Sequence, residues 1–413
     1  YGGGARHTIK GGTGSGSVNN RSNVSIDEGL RNAGFTVTTD TWLDAYDAAY
    51  GQSYKEWKDY IYEISEPGNF DSLYRAHASH PMQMPKGSAI TKTEAADAIY
   101  VISRISGEGA DRKAEPGDYY LSEQEEEELK AITECYDNTI VILNVGGVMD
   151  VSFLEKYNIA ALVMLSQAGM EGGNALADVL SGAVTPSGKL TDTWGCHYED
   201  YPSSATFSHN NGNIIEEKYY EGIYVGYRYF DSFEVEPRYP FGYGMSYTTF
   251  DVATENAAWK PDAEPKTITV TVKVTNTGSC AGKEVVQIYA SCPQGRLVKE
   301  FRRLAGFGKT KLLAPKESQT MTITFPLYQL TSYEEESASW ILEPGMYGIW
   351  IGNDLNTSVL SGALELDEKA VMTACENICP LKEELNEIVP DAEKVQAREA
   401  AWQKEVKEKR MSV

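Results

Sequence analysis

Basic residues are in short supply in this chain: 37 Lys and Arg stand against 60 Asp and Glu over 413 residues, a net charge of −23. That balance repels polyanions and leaves no basic stripe, which excludes DNA or RNA as the main ligand and disfavours an anionic membrane surface. Long apolar runs are also missing. The longest, such as Ile159 to Leu165, fall far short of the roughly 20 residues that span a bilayer. The six cysteines, Cys135, Cys196, Cys280, Cys292, Cys375 and Cys379, are too sparse for a disulfide scaffold and show no zinc spacing, so a reducing compartment and a cytoplasmic location are expected. The five histidines form no HExxH pair and no serine lies in a GxSxG elbow, so neither a metal nor triad hydrolysis is expected. The chain opens at Tyr1 with no positively charged leader.

What is present is a change of rhythm along a chain long enough for two or three domains. From about Gly29 to Trp194 helical and extended segments alternate, the signature of βα units around a largely parallel sheet. The extended segments are expected at 35–39, 98–105, 139–145, 160–165 and 189–193, with helices over 41–64 and 122–136. Ser122 followed by Glu125 makes a capping box. The acidic run Glu125 to Glu128 then reads as a solvated helix start matched to the helix dipole. Residues 206–249, rich in Asn, Tyr and Gly, read as an interdomain connection. From Phe250 to Ala363 the period becomes two: Ile268, Val270, Val272 and Val274 alternate with Thr267, Thr269, Thr271 and Lys273, as in an antiparallel β-sandwich. The tail, 364–413, reads as helical and charged, with Cys375 and Cys379 one turn apart as ordinary thiols. The fold class is therefore α/β, a mostly parallel α/β sandwich domain over 1–205, followed by an all-β sandwich over 250–363.

Ligands of an open parallel sheet bind at loops after the carboxyl ends of strands. Three such loops stand out: Ser106 to Arg112, Gly146-Gly147, and Gly169 to Gly173. Glu108, between Gly107 and Gly109, has two readings: a solvated loop glutamate, the commoner case, or a carboxylate projecting into a cleft on free backbone. Glu171 falls where a helix should begin and reads as a cap or dipole residue. In Lys10-Gly11-Gly12-Thr13-Gly14-Ser15-Gly16-Ser17 the lysine precedes the glycines, unlike a phosphate-cradling GxxxxGK[ST] string, so this reads as a loop lining a cleft rather than a nucleotide site.

Several longer strings, in order, resemble glycoside hydrolase family 3, the β-glucosidases and related exo-acting enzymes. Ile102-Ser103-Arg104-Ile105-Ser106-Gly107-Glu108-Gly109-Ala110-Asp111-Arg112 is similar to the family's acid/base loop. Gly169-Met170-Glu171-Gly172-Gly173-Asn174-Ala175, with Ser187-Gly188-Lys189-Leu190, is similar to the end of its α/β sandwich domain. Tyr220 to Phe230 and Pro240 to Tyr247 resemble the lead into its fibronectin type III-like domain, and Leu304 to Phe307 and Pro344 to Tyr347 resemble strands of that domain. The resemblance implies retaining double displacement on a β-linked oligosaccharide or glycoside, with Glu108 as general acid/base, Asp111 and Arg112 as substrate-binding residues, and no cofactor. It also implies an aspartate nucleophile on a (β/α)8 barrel of roughly 250 residues. No such stretch exists here, so a barrel is expected beyond Val413 or in a second polypeptide, with the tail as a linker. A homo-oligomer is left open, and a non-catalytic carbohydrate-binding or scaffolding module stands as the alternative.

Overall fold

A computed structural model of the chain describes residues 1–12, 16, 18–105, 111–260, 266–381 and 383–409. They form two units, Tyr1–Val184 and Thr185–Val413.

In the first unit, short runs of apolar and β-branched residues make a parallel sheet of order β1 (Asp97–Arg104), β2 (Asn138–Val145) and β3 (Ala161–Met164). β1 and β2 pair from Asp97 opposite Asn138 to Arg104 opposite Val145, so both strands end at one level. Their middles, Tyr100, Val101 and Ile102 beside Val141, Ile142 and Leu143, are buried. Such near-continuous apolar strands are what helical cover on both faces of a parallel sheet demands. The helices are α1 (Ile26–Asn32), α2 (Asp40–Ile64), α3 (Phe70–Ser79), α4 (Glu123–Cys135), α5 (Phe153–Lys156) and α6 (Gly172–Leu180). α4 begins as the capping box requires: the Ser122 hydroxyl accepts from the Glu125 N–H at 3.2 Å, and the Glu125 carboxylate accepts from the Ser122 N–H at 2.9 Å. α1 and α6 meet through bare backbone. A Cβ on Gly173 would lie 1.9 Å from the Ser25 carbonyl oxygen, and one on Gly29 would lie 2.1 Å from the Gly173 carbonyl carbon.

Two expected strands do not form. Residues 35–39 run irregularly from α1 to α2, because the free edge of β1 is taken by the start of the chain: the Val101 N–H donates to the Tyr1 carbonyl at 3.1 Å. Residues 189–193 belong to the second unit, where their backbone finds other partners. Leu190 N–H donates to Tyr243 O at 2.8 Å, and Trp194 N–H donates to Tyr239 O at 3.0 Å. The acidic start of α4 is also not simply solvated. Glu128 is buried and takes hydrogen bonds from Tyr100 Oη at 2.9 Å and Gln124 Nε2 at 2.8 Å. Burial raises its carboxyl above the usual range against the pull of those donors.

The described residues of the second unit hold α7 (Tyr227–Phe233) and ten strands: β4 (Phe250–Lys260), β5 (Thr267–Asn276), β6 (Val285–Ser291), β7 (Arg303–Lys309), β8 (Ser318–Pro326), β9 (Ser332–Glu334), β10 (Ser339–Leu342), β11 (Gly345–Gly352), β12 (Val359–Leu366) and β13 (Ala370–Ala374). Antiparallel sheets of order β12-β11-β6-β7 and β4-β5-β8 carry the core, beside a small β13-β10-β9 sheet. The period-two reading holds residue by residue: Ile268, Val270, Val272 and Val274 are fully buried with Val286, Ile288 and Ile349. The alternate threonines pair outside, Thr269 with Thr324 and Thr275 with Ser318. The tail is not uniformly helical. β13 lies near its start, Cys375 and Cys379 lie on irregular backbone, and among the described residues of the tail only α8 (Ala392–Lys409) is a helix. α8 buries Trp402 and Val406 against Leu360 and Ala363 and sets the Arg398 guanidinium 4.1 Å from the Phe301 ring centroid.

Candidate active site

The carboxyl ends of β1, β2 and β3 lie on one edge of the sheet, where several polar side chains bond to one another and to backbone carbonyls. Arg104, the last residue of β1, is buried. Its guanidinium meets both Glu125 oxygens, at 2.7 and 2.6 Å, and also donates to the carbonyls of Asp118 and Ser103 at 2.8 Å. A buried arginine is tolerable only with such a full set of acceptors, here bidentate and charge-assisted. Glu125 thus caps α4 and fixes the end of β1 together.

Glu108 lies outside the described residues. The chain rejoins them at Asp111, which is exposed. Next to it, Arg112 donates through Nε to Asp118 Oδ1 at 2.6 Å, through Nη2 to the Asp118 carbonyl at 2.9 Å and through Nη1 to the Val148 carbonyl at 2.8 Å. Asp118 Oδ2 also accepts from the Lys113 N–H at 2.6 Å. Arg104 and Arg112, on either side of residues 105–111, therefore share one acceptor, the Asp118 carbonyl. Arg112 extends the tie to the backbone that follows β2. Of the three site residues expected, Asp111 and Arg112 stand side by side, and Arg112 has its donors engaged inside the protein.

A second hub sits on β2. Asn144 is fully buried. Its Nδ2 donates to the carbonyls of Ile9 and Ser166, both at 2.8 Å, while its Oδ1 accepts from the Ile9 N–H at 2.7 Å and from Ser103 Oγ at 3.3 Å. One amide thus joins the first loop, β1 and the loop after β3. That last loop turns through Ser166 at φ +59° and Gly169 at φ +75°, a left-handed conformation that is unusual for serine. The Gly169 N–H donates to the Lys10 carbonyl at 2.9 Å, and Lys10 Nζ donates to the Val18 carbonyl at 2.8 Å. The lysine that precedes the glycines thus has a backbone acceptor eight residues on. Glu171 stands at the N-cap of α6, where its carboxylate accepts from Asn174 Nδ2 at 2.6 Å and from no helix N–H.

Asn144, Asp118 and Arg104 are the residues that sequence reasoning missed as parts of this edge. A lone amide inside the apolar run Ile140 to Val145 was a readable signal, since a polar group on a buried strand needs partners. Asp118 carried no signal of its own. Among the described residues no group of three His, Cys, Asp or Glu is placed to hold a metal ion, and no helix is long and apolar enough to cross a membrane.

A parallel-sheet α/β unit followed by antiparallel β-sheets is the domain order that the comparisons also find. Residues 1–247 match the glycosyl hydrolase family 3 C-terminal domain, and residues 284–355 match a fibronectin type III-like domain. The chain belongs to glycosyl hydrolase family 3. Among its relatives are a β-glucosidase of Ruminococcus albus, 36% identical over 89% of this chain and 37% of that protein, and β-glucosidase A of Butyrivibrio fibrisolvens, 35% identical over 91% and 48%. Among solved structures, a β-glucosidase from Paenibacillus barengoltzii superimposes with a TM-score of 0.73 at 35% identity, over 90% of this chain and 41% of that one. β-Glucosidase 3B from Thermotoga neapolitana in complex with glucose does so with a TM-score of 0.73 at 34% identity, over 89% and 50%. The chain thus spans between about a third and a half of the length of these relatives.

Proposed function

We propose that this chain is the part of a retaining, exo-acting β-glycosidase of the β-glucosidase type that lies outside the (β/α)8 barrel, and that it supplies the general acid/base. The observation that carries this reading is the family match over residues 1–247, within which Glu108 follows the end of β1. The two arginines that bracket its loop, both tied to Asp118, support it. In double displacement a carboxylate attacks the anomeric carbon while a carboxylic acid protonates the leaving oxygen. The second group then takes a proton from the water that hydrolyses the glycosyl-enzyme, the two carboxyls lying about 5–5.5 Å apart. Glu108 takes the acid/base part and an aspartate of the barrel the nucleophile's, with no cofactor. Asp111, exposed beside this loop, accepts from a sugar hydroxyl, and Arg112 serves substrate binding by holding that backbone in place. The substrate is a terminal β-D-glycosyl residue of an oligosaccharide or glycoside. The location is cytoplasmic, a reading supported by six free thiols.

The test joins the chain to a family 3 barrel, in one polypeptide or two, and follows cleavage of an aryl β-glucoside. Glu108→Ala should lower kcat by about 100-fold or more, with azide restoring turnover and yielding the β-glycosyl azide. Wild-type rates in Glu108→Ala overturn the assignment. Calorimetry on the chain alone separates the alternative, because a non-catalytic binding module holds oligosaccharide unaided.

A further inference from the structure

α2 is longer than the sheet it packs on, and the excess lies on the side of the candidate site. Residues 1–4 run beside β1 in the same direction: a Cβ on Gly2 would fall on the Val101 carbonyl and one on Gly4 on Ser103 Oγ. Successive turns of α2 climb this segment. The Trp42 ring meets Tyr1 edge-on with centroids 5.4 Å apart, a Cβ on Gly3 would fall on Tyr46 Oη, and Tyr50 stacks on His7 at 3.8 Å. At Tyr50 the helix has reached the carboxyl edge, yet it continues to Ile64, roughly 20 Å further.

The aromatic row continues with it. Trp42 and Tyr46 are core residues, but Tyr54, one turn beyond Tyr50, is 45% exposed. Its ring is parallel to that of Tyr50, with centroids 6.5 Å apart, and Trp57 follows at 5.7 Å. Trp57 is fixed from α3: its Nε1 donates to the His80 carbonyl at 2.6 Å, and His77 meets its ring edge-on. At the inner end Asp47 holds His7 Nε2 at 2.9 Å and accepts from Arg6 Nη1 at 2.8 Å. A stripe at this spacing is ordinarily core, but the outer half of this one has no cover among the described residues. Gly51 is a second, separate sign. It stands on the helix surface between Asp47, four residues before, and Tyr54, three after. A Cβ there would meet nothing within 4 Å, so nothing inside the protein calls for a glycine that weakens the helix. Bare backbone beside an exposed ring and a carboxylate is what the close approach of a ligand requires.

We infer that His7, Tyr50, Tyr54 and Trp57 form a shelf for the sugars beyond the cleaved bond, so that the substrate is a β-linked oligosaccharide longer than a disaccharide. The inference rests on the reading given under Proposed function. A pyranose carries C–H groups on its faces, which lie against the electron-rich faces of aromatic rings. Its rim carries hydroxyls, for which Asp47 and the tyrosine hydroxyls are partners. α2 holds six Asp and Glu against two Lys, so an anionic ligand is repelled while a neutral one is not. The place fits as well. Glu108 follows β1, and residues 1–7 are the next segment on that side of the sheet, so a chain extending there from the acid/base meets His7 and Tyr50 first.

The experiment compares kcat/KM of the barrel-joined enzyme for 4-nitrophenyl β-glucoside and for cellotetraose, both of which the wild type should cleave. Tyr54→Ala and Gly51→Leu should each lower the value for cellotetraose about tenfold, the size of one ring contact. Both should leave the aryl glucoside within about twofold, and Tyr54→Phe should preserve both activities. Gly51→Leu puts a better helix former where nothing is in the way, so its melting temperature should not fall, which separates loss of the shelf from loss of the fold. Equal losses on the two substrates, no loss on cellotetraose, or a wild type that cleaves only the aryl glucoside overturns the shelf. A change of oligomeric state in Tyr54→Ala assigns the rings to a second copy and overturns it too. The two readings fail differently. A wild type that cleaves neither substrate, or aryl cleavage that survives Glu108→Ala, sinks the catalytic reading and the shelf with it, whereas Glu108-dependent cleavage with an unmoved preference for chain length refutes the shelf alone.

Discussion

Replacing Asn144 by leucine should cost the first unit about 3 kcal/mol. Leucine matches the side chain in size, so the loss is one of hydrogen bonds and not of volume. Four bonds go: two donated to Ile9 and Ser166, one accepted from Ile9 and a longer one accepted from Ser103. Each neutral bond contributes about 1 kcal/mol net, and a buried group left without a partner costs up to about 3. Ile9 and Ser103 are only half-buried and Ser166 is exposed, so water recovers part of the deficit and the sum stays near 3. For a unit of this size that is a fall of roughly 6–12 °C in melting temperature. Thermal melts of the chain give the magnitude. Hydrogen exchange gives the place, since the Gly169 N–H bonded to Lys10 should open faster once Asn144 no longer joins these loops. A fall of under about 2 °C, or a larger one without faster exchange around residues 9–10 and 166–169, refutes the hub. Asn144→Asp adds a signed control. Its carboxylate would face the carbonyl oxygens of Ile9 and Ser166, so burial raises its folded pKa above the unfolded one. Stability is then kept below the unfolded pKa and lost as pH rises through the folded one. The deficit against wild type should therefore be small near pH 4 and largest at neutral pH.

Lys299, buried in the second unit, pairs with Glu343, whose carboxyl also accepts from the Arg296 and Leu297 N–H groups. Burial works to raise this carboxyl but is outweighed, and it sits below the usual range. Lys299→Met should cost about 3–5 kcal/mol in urea unfolding, and adding Glu343→Leu should restore much of it. Because the carboxyl is depressed, the pair's contribution should be present above the ordinary glutamate pKa and fade as pH falls through the lowered value. Tyr100→Phe removes the hydroxyl donor to Glu128 and should cost about 1.5–3 kcal/mol at neutral pH. Glu128 is raised, so that cost should shrink as acid protonates it, read as a difference between melts across the pH range. Trp402→Ala should release α8, with about 3–5 kcal/mol lost from its docking; limited proteolysis within residues 392–409 should follow at once.

The parts of the fold legible in the sequence were those where a local rule had no competitor. The alternation along Ile268 to Val274 admits one arrangement, and Ser122 with Glu125 marks a helix start without tertiary help. Segments 35–39 and 189–193 satisfied the same local rule yet are not strands, because a strand needs a neighbour with free backbone groups. Tyr1 occupies the edge of β1, and Tyr239 and Tyr243 claim the other segment. Glu128 looked solvated because its neighbours are, and only Tyr100 and Gln124 show otherwise. That Asp111 and Arg112 come shortly after a parallel strand could be read from the sequence. That Arg104 and Arg112 share the Asp118 carbonyl could not, since a backbone atom carries no sequence signature.

The contact of Gly29 with Gly173 has a consequence for how this chain can vary. Two positions 144 residues apart in sequence share a space that holds no side chain, so neither can gain even a methyl group unless two helices part. Substitutions that are harmless on most helix surfaces would there shift α6, and with it the turn through Ser166 and Gly169 that leads into it. The room for mutation in this unit is thus narrow even where there is no reactive group. A library randomised at both codons should return glycine at both, however permissive the screen.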